Sequence, residues 1–208
     1  MGVFITFEGG EGCGKSYQSK LLYRLLVKNG IKTILTHEPG GTVLGEKITK
    51  WLKWHSEIEL SSTAELLLFS ASRAQLCKEV ITPALDSGYV VVCDRYIDSS
   101  LAYQGFGRGL DLDTIKSLIS LATDGLKPDL TILLDIPVAQ GFKRKNKVRR
   151  DRFENEQSSF HEKVRQGYRQ LARLEPQRFL VLDATLAKEN LSATITQNVM
   201  RLIGKTKT

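Results

Sequence analysis

Cysteine is scarce in this chain, and no apolar run is long enough to span a membrane. The three cysteines, Cys13, Cys77 and Cys93, are odd in number and widely spaced. They make neither a disulfide framework nor a zinc pattern, which excludes a stapled secreted scaffold and suits a reducing cytoplasm. The longest uncharged stretches are strand-sized, so no membrane helix is expected. The first residues lack a basic segment followed by an apolar core, so no export signal is expected. Met1, Gly2 and Thr6 fit a myristoylation pattern, but a first strand accounts for them better. There is no internal repeat and no low-complexity linker. What remains is an ordinary soluble composition, 41% hydrophobic and 25% charged over 208 residues, which predicts one domain spanning 1–208.

The net charge of +7 would suggest a nucleic-acid partner if it were spread over the surface. It is local. Lys143, Arg144, Lys145, Lys147, Arg149, Arg150 and Arg152 stand against Asp151 alone, so this stretch carries nearly the whole excess. No aromatic interrupts the stretch, with Phe142 and Phe153 only flanking it, whereas single-strand binders interleave aromatics with cations, so no nucleic-acid partner is expected.

Runs rich in β-branched residues recur at Val3–Phe7, Thr33–Thr36, Val90–Cys93, Leu130–Leu134 and Phe179–Leu182. Helical patterns separate them, at Lys15–Asn29, Leu44–Trp54, Thr63–Ser87, Asp111–Thr123, Ser158–Glu175 and Ala187–Ile203. That alternation predicts an α/β fold, a five-stranded parallel sheet with helices on both faces. Gly30 and Gly88 fall just past helix ends, Asp113 suits a helix cap, and residues 204–208 read as a frayed tail. Each strand runs into a polar or sharply turning segment. In such sheets ligands bind beyond the carboxyl ends of the strands, so the loops after all five should form the site.

Residues 9–16, Gly-Gly-Glu-Gly-Cys-Gly-Lys-Ser, match the phosphate-loop pattern G-x-x-x-x-G-K-[ST] between a strand and a helix. Glycines let successive amides turn inward, and the helix N-terminus adds positive potential where phosphates sit. Gly9, Gly10, Glu11, Gly12, Cys13, Gly14, Lys15 and Ser16 are therefore candidate ATP contacts, with Lys15 reaching the outer phosphates and Ser16 ligating Mg²⁺. The alternative is a glycine-rich turn with a stray lysine. Asp94 and Arg95 follow the third strand, where Asp94 could hold the Mg²⁺ and Arg95 could fork two oxygens of a second phosphate. No second strand ends in the Asp-Glu that positions water in ATP hydrolases, which favours transfer to an organic acceptor.

Here the chain resembles the bacterial thymidylate kinase family, a P-loop NTPase fold, almost end to end. FEGGEGCGKS is similar to the family's FEGxDGAGKS/T, THEPGGT to T-R-E-P-G-G-T and FSASRAQ to F-x-A-D-R-x-Q. DRYIDSSLAYQG is similar to D-R-Y-x-x-S-S-x-A-Y-Q-G, DRFENEQSSFHEKVRQGY to the end of the lid and its following helix, and LDAT to the turn after the last strand.

The resemblance implies phosphoryl transfer from Mg-ATP to dTMP in a homodimer packed through helices. It implies that Phe69 stacks on the thymine ring and Arg73 donates to a base carbonyl. The run Leu66–Phe69 by itself would put Phe69 in the core. Tyr103 would pack against the sugar, Ser99, Ser100 and Gln104 would line the base pocket, and Glu11 would accept from the 3′-hydroxyl. Glu38 and Pro39 would shape the pocket floor, with a cis bond at Pro39 allowed. A basic lid at about 141–154 would close over ATP. Arg149 and Arg152 would be its catalytic cations, with Arg144, Lys147 and Arg150 beside them.

Three positions depart from the family pattern. His37 stands in place of an arginine and Thr49 in place of a basic phosphate contact, with Lys50 as a substitute. Ser72 replaces an aspartate and so deprives Arg73 of an acidic neighbour. The rival readings are a related deoxynucleotide or nucleoside kinase, a nucleic-acid-associated ATPase working through 143–152, and a non-catalytic nucleotide-binding protein.

Overall fold

A computed structural model describes residues 2–54, 58–145 and 151–206. Strands β1 (Val3–Glu8), β2 (Thr33–His37), β3 (Val90–Asp94), β4 (Leu130–Asp135) and β5 (Phe179–Asp183) form one parallel sheet in the order β2-β3-β1-β4-β5. β1 is central, and all six of its residues are buried. The register pairs Phe7 of β1 with Asp94 of β3, and Asp94 with His37 of β2, so these strand ends finish level with one another. Each strand runs one residue beyond the apolar run that marks it in the sequence, because the polar end residue still pairs with its neighbour.

The pleat sends alternate side chains to opposite faces, and the sheet accordingly separates two cores. Ile5, Phe7, Val92, Ile132 and Leu134 pack on one face against α1 (Lys15–Lys28) and α9 (Lys188–Thr206) through Leu22, Leu26, Ile195 and Val199. Phe4, Val91, Cys93 and Leu133 pack on the other against α3 (Ser62–Leu76), α6 (Leu112–Thr123) and α8 (Ser158–Leu174). The remaining helices are α2 (Val43–Trp54), α4 (Thr82–Asp86), α5 (Ile97–Ser100) and α7 (Val138–Lys143).

Three expectations need correction. The predicted helix over 63–87 is α3, a π-helical turn at Cys77–Ile81 and α4. Pro83 has no N–H to continue the ladder, and just before it Thr82 N donates five residues back, to Cys77 O. The cap of α6 is Asp111, whose carboxylate accepts from Thr114 N at 2.7 Å, while Asp113 pairs with Lys116 at 2.8 Å. The expected frayed tail is helical as far as Thr206, at the end of α9. Gly30 and Gly88 do adopt left-handed backbone at helix ends, with φ of 73° and 76°.

Beneath the site, one polar cluster crosses the sheet. Asp98, fully buried, receives both terminal nitrogens of Arg178 at 2.8 Å, and Thr131 donates to Asp98 at 3.3 Å while its hydroxyl meets that of Thr6 at 2.9 Å. Arg178→Leu should lower the unfolding free energy by about 3–5 kcal/mol in denaturant titrations, because Asp98 is left charged and uncompensated. A loss below about 1 kcal/mol would mean that the cluster does not carry the stability ascribed to it.

Candidate active site

The carboxyl ends of the strands open into a cleft of about 1130 Å³. Loops after β1, β2, β3 and β5 line it directly. The described residues of the segment after β4 contribute through Arg144, Lys145, Asp151, Phe153 and Glu154, while Asp135 itself is turned away into a two-pronged bond with Arg165, at 2.7 and 3.0 Å.

The phosphate loop runs from Gly9 to Ser16 and enters α1 through Gly14. Gly12 has φ 69°, and a Cβ there would meet the carbonyl of Gly141 at 1.9 Å, while a Cβ on Gly141 would meet Glu11 O at 2.2 Å. These two glycines let α7 pack directly on the loop, so the segment after β4 and the phosphate cradle touch backbone to backbone. Lys15 folds back over the loop and donates to Gly9 O at 2.9 Å and Gly10 O at 2.8 Å. Cys13 is buried against it, with Lys15 Nζ at 3.5 Å from its sulfur. Ser16 donates to Asp94 across the cleft floor, which brings a hydroxyl and a carboxylate together.

Arg95 has a left-handed backbone, φ 71°, which is strained for a non-glycine residue. Its conformation is pinned on both sides. Arg95 N donates to Phe7 O at 2.9 Å, and the next amide, Tyr96 N, donates to the Glu8 carboxylate at 2.7 Å. The side chain then reaches Gly9 O, Ser99 and Tyr168 through Nη1, each at 3.2 Å, and Glu11 at 2.9 Å and Tyr103 at 3.1 Å through Nη2.

Two carboxylates frame this guanidinium in opposite electrostatic settings. Glu8 is buried and also accepts from Ser99 at 2.7 Å and Tyr168 at 2.8 Å. Burial, aided by nearby Asp98, pushes its carboxyl up to about 7 against the opposing pull of Arg95 and the hydroxyls. Burial acts the same way on Glu11, but Arg95, Lys15 and Lys145 outweigh it and hold that carboxyl well below the usual range. Glu11 binds Lys145 at 2.7 Å and the Tyr103 hydroxyl at 2.9 Å.

The cleft also takes in part of α3. Phe69 is half-buried on its wall rather than in the core, with its ring 5.6 Å from that of Phe153. Four residues further along α3, Arg73 is 1% exposed and pairs with Glu38 at 2.7 Å. Burial opposes its charge, and Glu38 more than restores it, so the guanidinium is held more firmly protonated than usual. Arg73 Nη1 has no hydrogen-bond partner, nor does the buried hydroxyl of Ser100. Both are vacant polar positions, which buried groups normally avoid.

Glu38–Pro39 is a cis peptide, and Ser72 supports the following turn by accepting from Gly40 N at 3.2 Å. Glu38 therefore supplies the acidic neighbour that serine at position 72 cannot. His37 lies 3.2 Å from Glu46, and the Thr49 hydroxyl is spent on Gly45 O at 2.8 Å. The α2 cation that lines the cleft is Lys53, one turn beyond the expected Lys50, which is exposed.

Of the basic cluster, Arg144 lines the cleft and donates to Ala184 O at 2.7 Å. Arg152 donates to Ile58 O at 2.7 Å and is not part of the cleft wall. Lys147, Arg149 and Arg150 lie outside the described residues. Lys145 is a site residue that the sequence does not single out. Only its contact with Glu11, distant in sequence, distinguishes it from its basic neighbours. Glu8 and Tyr168 escape in the same way, because a strand-end acid and a tyrosine in a helix carry no spacing signal of their own.

A glycine cradle on a helix N-terminus, a lysine folded into it, and a hydroxyl–carboxylate pair on the floor define a P-loop nucleotide-dependent kinase. The pattern of the family Thymidylate kinase matches residues 7–195. A thymidylate kinase of Dehalococcoides mccartyi strain 195 is 57% identical over 98% of both chains, and one of Geotalea daltonii is 49% identical over 98% of this chain and 100% of its own. The crystal structure of thymidylate kinase from Ehrlichia chaffeensis superposes with a TM-score of 0.77 at 33% identity, covering 97% of this chain and 100% of that one. The chain belongs to the thymidylate kinase family.

A carboxyl with a raised pKa binds a proton in the folded state that the unfolded chain has already released. Glu8 should therefore make stability fall as pH rises from about 4.5 to about 7, by on the order of 1–3 kcal/mol, with the full loss present above 7. Unfolding free energies of the wild type and Glu8→Gln across that range should diverge as pH rises, with the variant losing less. Parallel curves would contradict this assignment.

Proposed function

We propose that this chain transfers the terminal phosphoryl group of ATP to the 5′-phosphate of dTMP, giving ADP and dTDP. The observation that carries the reading is Arg95. It stands in a left-handed backbone, bonded to Gly9 and Glu11 of the phosphate loop, in the same cleft as Lys15 and Phe69. The acceptor phosphate has a second pKa near 6 and is mostly dianionic at neutral pH, so no strong base is needed. The barrier is the approach of two anions, and catalysis is alignment plus charge compensation.

In this reading Gly9 to Ser16 cradle the ATP phosphates, and Lys15 swings from the Gly9 and Gly10 carbonyls onto the outer ones. The Ser16 hydroxyl and Asp94 carboxylate are hard oxygen donors that fit Mg²⁺. Among the described residues there is no cluster of three metal-ligating side chains, which accords with an ion completed by phosphate and water. When bound, that ion would neutralise phosphate charge. Arg95 would move from Glu11 to the acceptor phosphate, leaving Glu11 to Lys145 and the sugar hydroxyl. Phe69 would stack on thymine, Arg73 would donate to its carbonyl, and Tyr103 would close the space beside the sugar.

The lid at about 141–154 would bring further cations, Arg144 among them and Arg149, Arg150 and Lys147 as candidates, over the transferring group. A homodimer would cover the exposed Leu67 of α3 and Leu121 of α6, which are 50% and 82% exposed on helices that pack together. Among the described residues no helix is long and apolar enough to cross a membrane, which is compatible with the cytoplasmic setting proposed.

A coupled assay with Mg-ATP and a panel of dTMP, dUMP, dCMP, dGMP and thymidine tests the reading. dTMP should be the preferred acceptor, and preference for another base would favour the rival kinase. In the same assay Arg95→Ala should lower turnover about 100- to 1000-fold. Turnover within threefold of wild type would remove Arg95 from the mechanism.

A further inference from the structure

Resting on dTMP as the acceptor, we propose that Glu65 is a positioning residue for base selection. From behind the pocket wall it fixes the Gln104 amide so that the oxygen, not the nitrogen, faces the ligand.

The residues form two stripes at four-residue spacing. Glu65, Phe69 and Arg73 succeed one another along α3, and Ser100, Gln104 and Arg108 along the π-helical segment Leu101–Gly107 and its flanks. Gln104 lines the cleft, whereas Glu65 does not and is 1% exposed. Gln104 Nε2 donates to Glu65 Oε1 at 2.8 Å, and its Oε1 makes no hydrogen bond among the described residues.

A carboxylate has no hydrogen to offer, so its amide neighbour must turn the NH₂ towards it. Glu65 cannot rotate away. Arg108 grips it through Nη2 at 3.0 Å and Nε at 3.3 Å, and is itself anchored to Glu156 at 2.6 Å and over the Phe160 ring at 4.8 Å.

The cleft wall thus presents an acceptor at Gln104, with the unpartnered Ser100 hydroxyl able to serve as donor beside it, while Arg73 Nη1, also unpartnered, is buried behind that wall. Thymine offers the complement, an N3–H donor beside an O4 acceptor. Cytosine offers the reverse at both atoms and would leave buried groups unpaired, the strongest form of rejection available to a binding site.

The decisive variant is Glu65→Gln. Arg108 has only donors, so it would capture the oxygen of the new amide and leave that amide's nitrogen facing Gln104, which can satisfy it only by flipping. The kcat/KM ratio of dTMP over dCMP should fall at least about tenfold, with the KM for ATP little changed. In a Gln104→Leu background the same substitution should leave the ratio unaltered, because Glu65 acts only through that amide. If Glu65→Gln does not fold, the wild-type protein still decides. The Gln104 side-chain NH₂, observed by ¹⁵N NMR, should exchange slowly with and without dTMP, and free exchange would overturn the proposal. A wild type inactive on dTMP would overturn the acceptor assignment and this inference with it. A wild type active on dTMP whose ratio survives Glu65→Gln would overturn this inference alone.

Discussion

Everything in this site follows from holding a guanidinium at the mouth of a phosphate cradle before any phosphate has arrived. Arg95 is kept there by a strained backbone and by bonds to the phosphate loop and to three helical segments, through Ser99, Tyr103 and Tyr168. Two carboxylates neighbour it: Glu11 pairs with Arg95 and Lys145, and Glu8 binds the adjoining Tyr96 amide, Ser99 and Tyr168. The two acids are not equivalent. Glu11 faces the cleft among cations and stays ionised, suited to exchanging its partners for substrate, whereas Glu8 is sealed under the sheet edge and fixes geometry.

The fold delivers these groups by register. β1, β2 and β3 end level, so Glu8, Glu38, Asp94 and Arg95 arrive together although far apart in sequence. The backbone contact between Gly12 and Gly141 joins the cradle to α7, and therefore to the start of the basic segment. The buried Asp98–Arg178 pair ties the same strand-end region to β5, away from solvent.

Much of this was legible in the sequence because phosphate chemistry leaves local marks. Glycine spacing, a lysine at the helix entry and an Asp-Arg step after a strand can each be read without knowing the fold. Strand and helix alternation likewise located the sheet and both layers of helices. What escaped was non-local or conformational. The π-helical turn before Pro83, the choice of Asp111 over Asp113 as a cap, and the helical rather than frayed course of residues 204–206 depend on packing that pattern alone does not contain. Phe69 shows the limit from the other side: its apolar neighbours point to the core, the family resemblance points to the pocket, and the tertiary fold puts it on the wall of the cleft. Lys145, Lys53 and Tyr168 carry no marker that separates them from similar residues nearby.

The central claim is that Arg95 and Lys15, bonded here to the Glu11 carboxylate and to the Gly9 and Gly10 carbonyls, move to phosphates on binding. A crystal structure with Mg-ADP and dTMP bound tests it most directly. Arg95 should then have left Glu11 for the acceptor phosphate, within about 3 Å, and Lys15 should have left the Gly9 and Gly10 carbonyls for the nucleotide. If both side chains keep their present partners with the nucleotides in place, the account is contradicted.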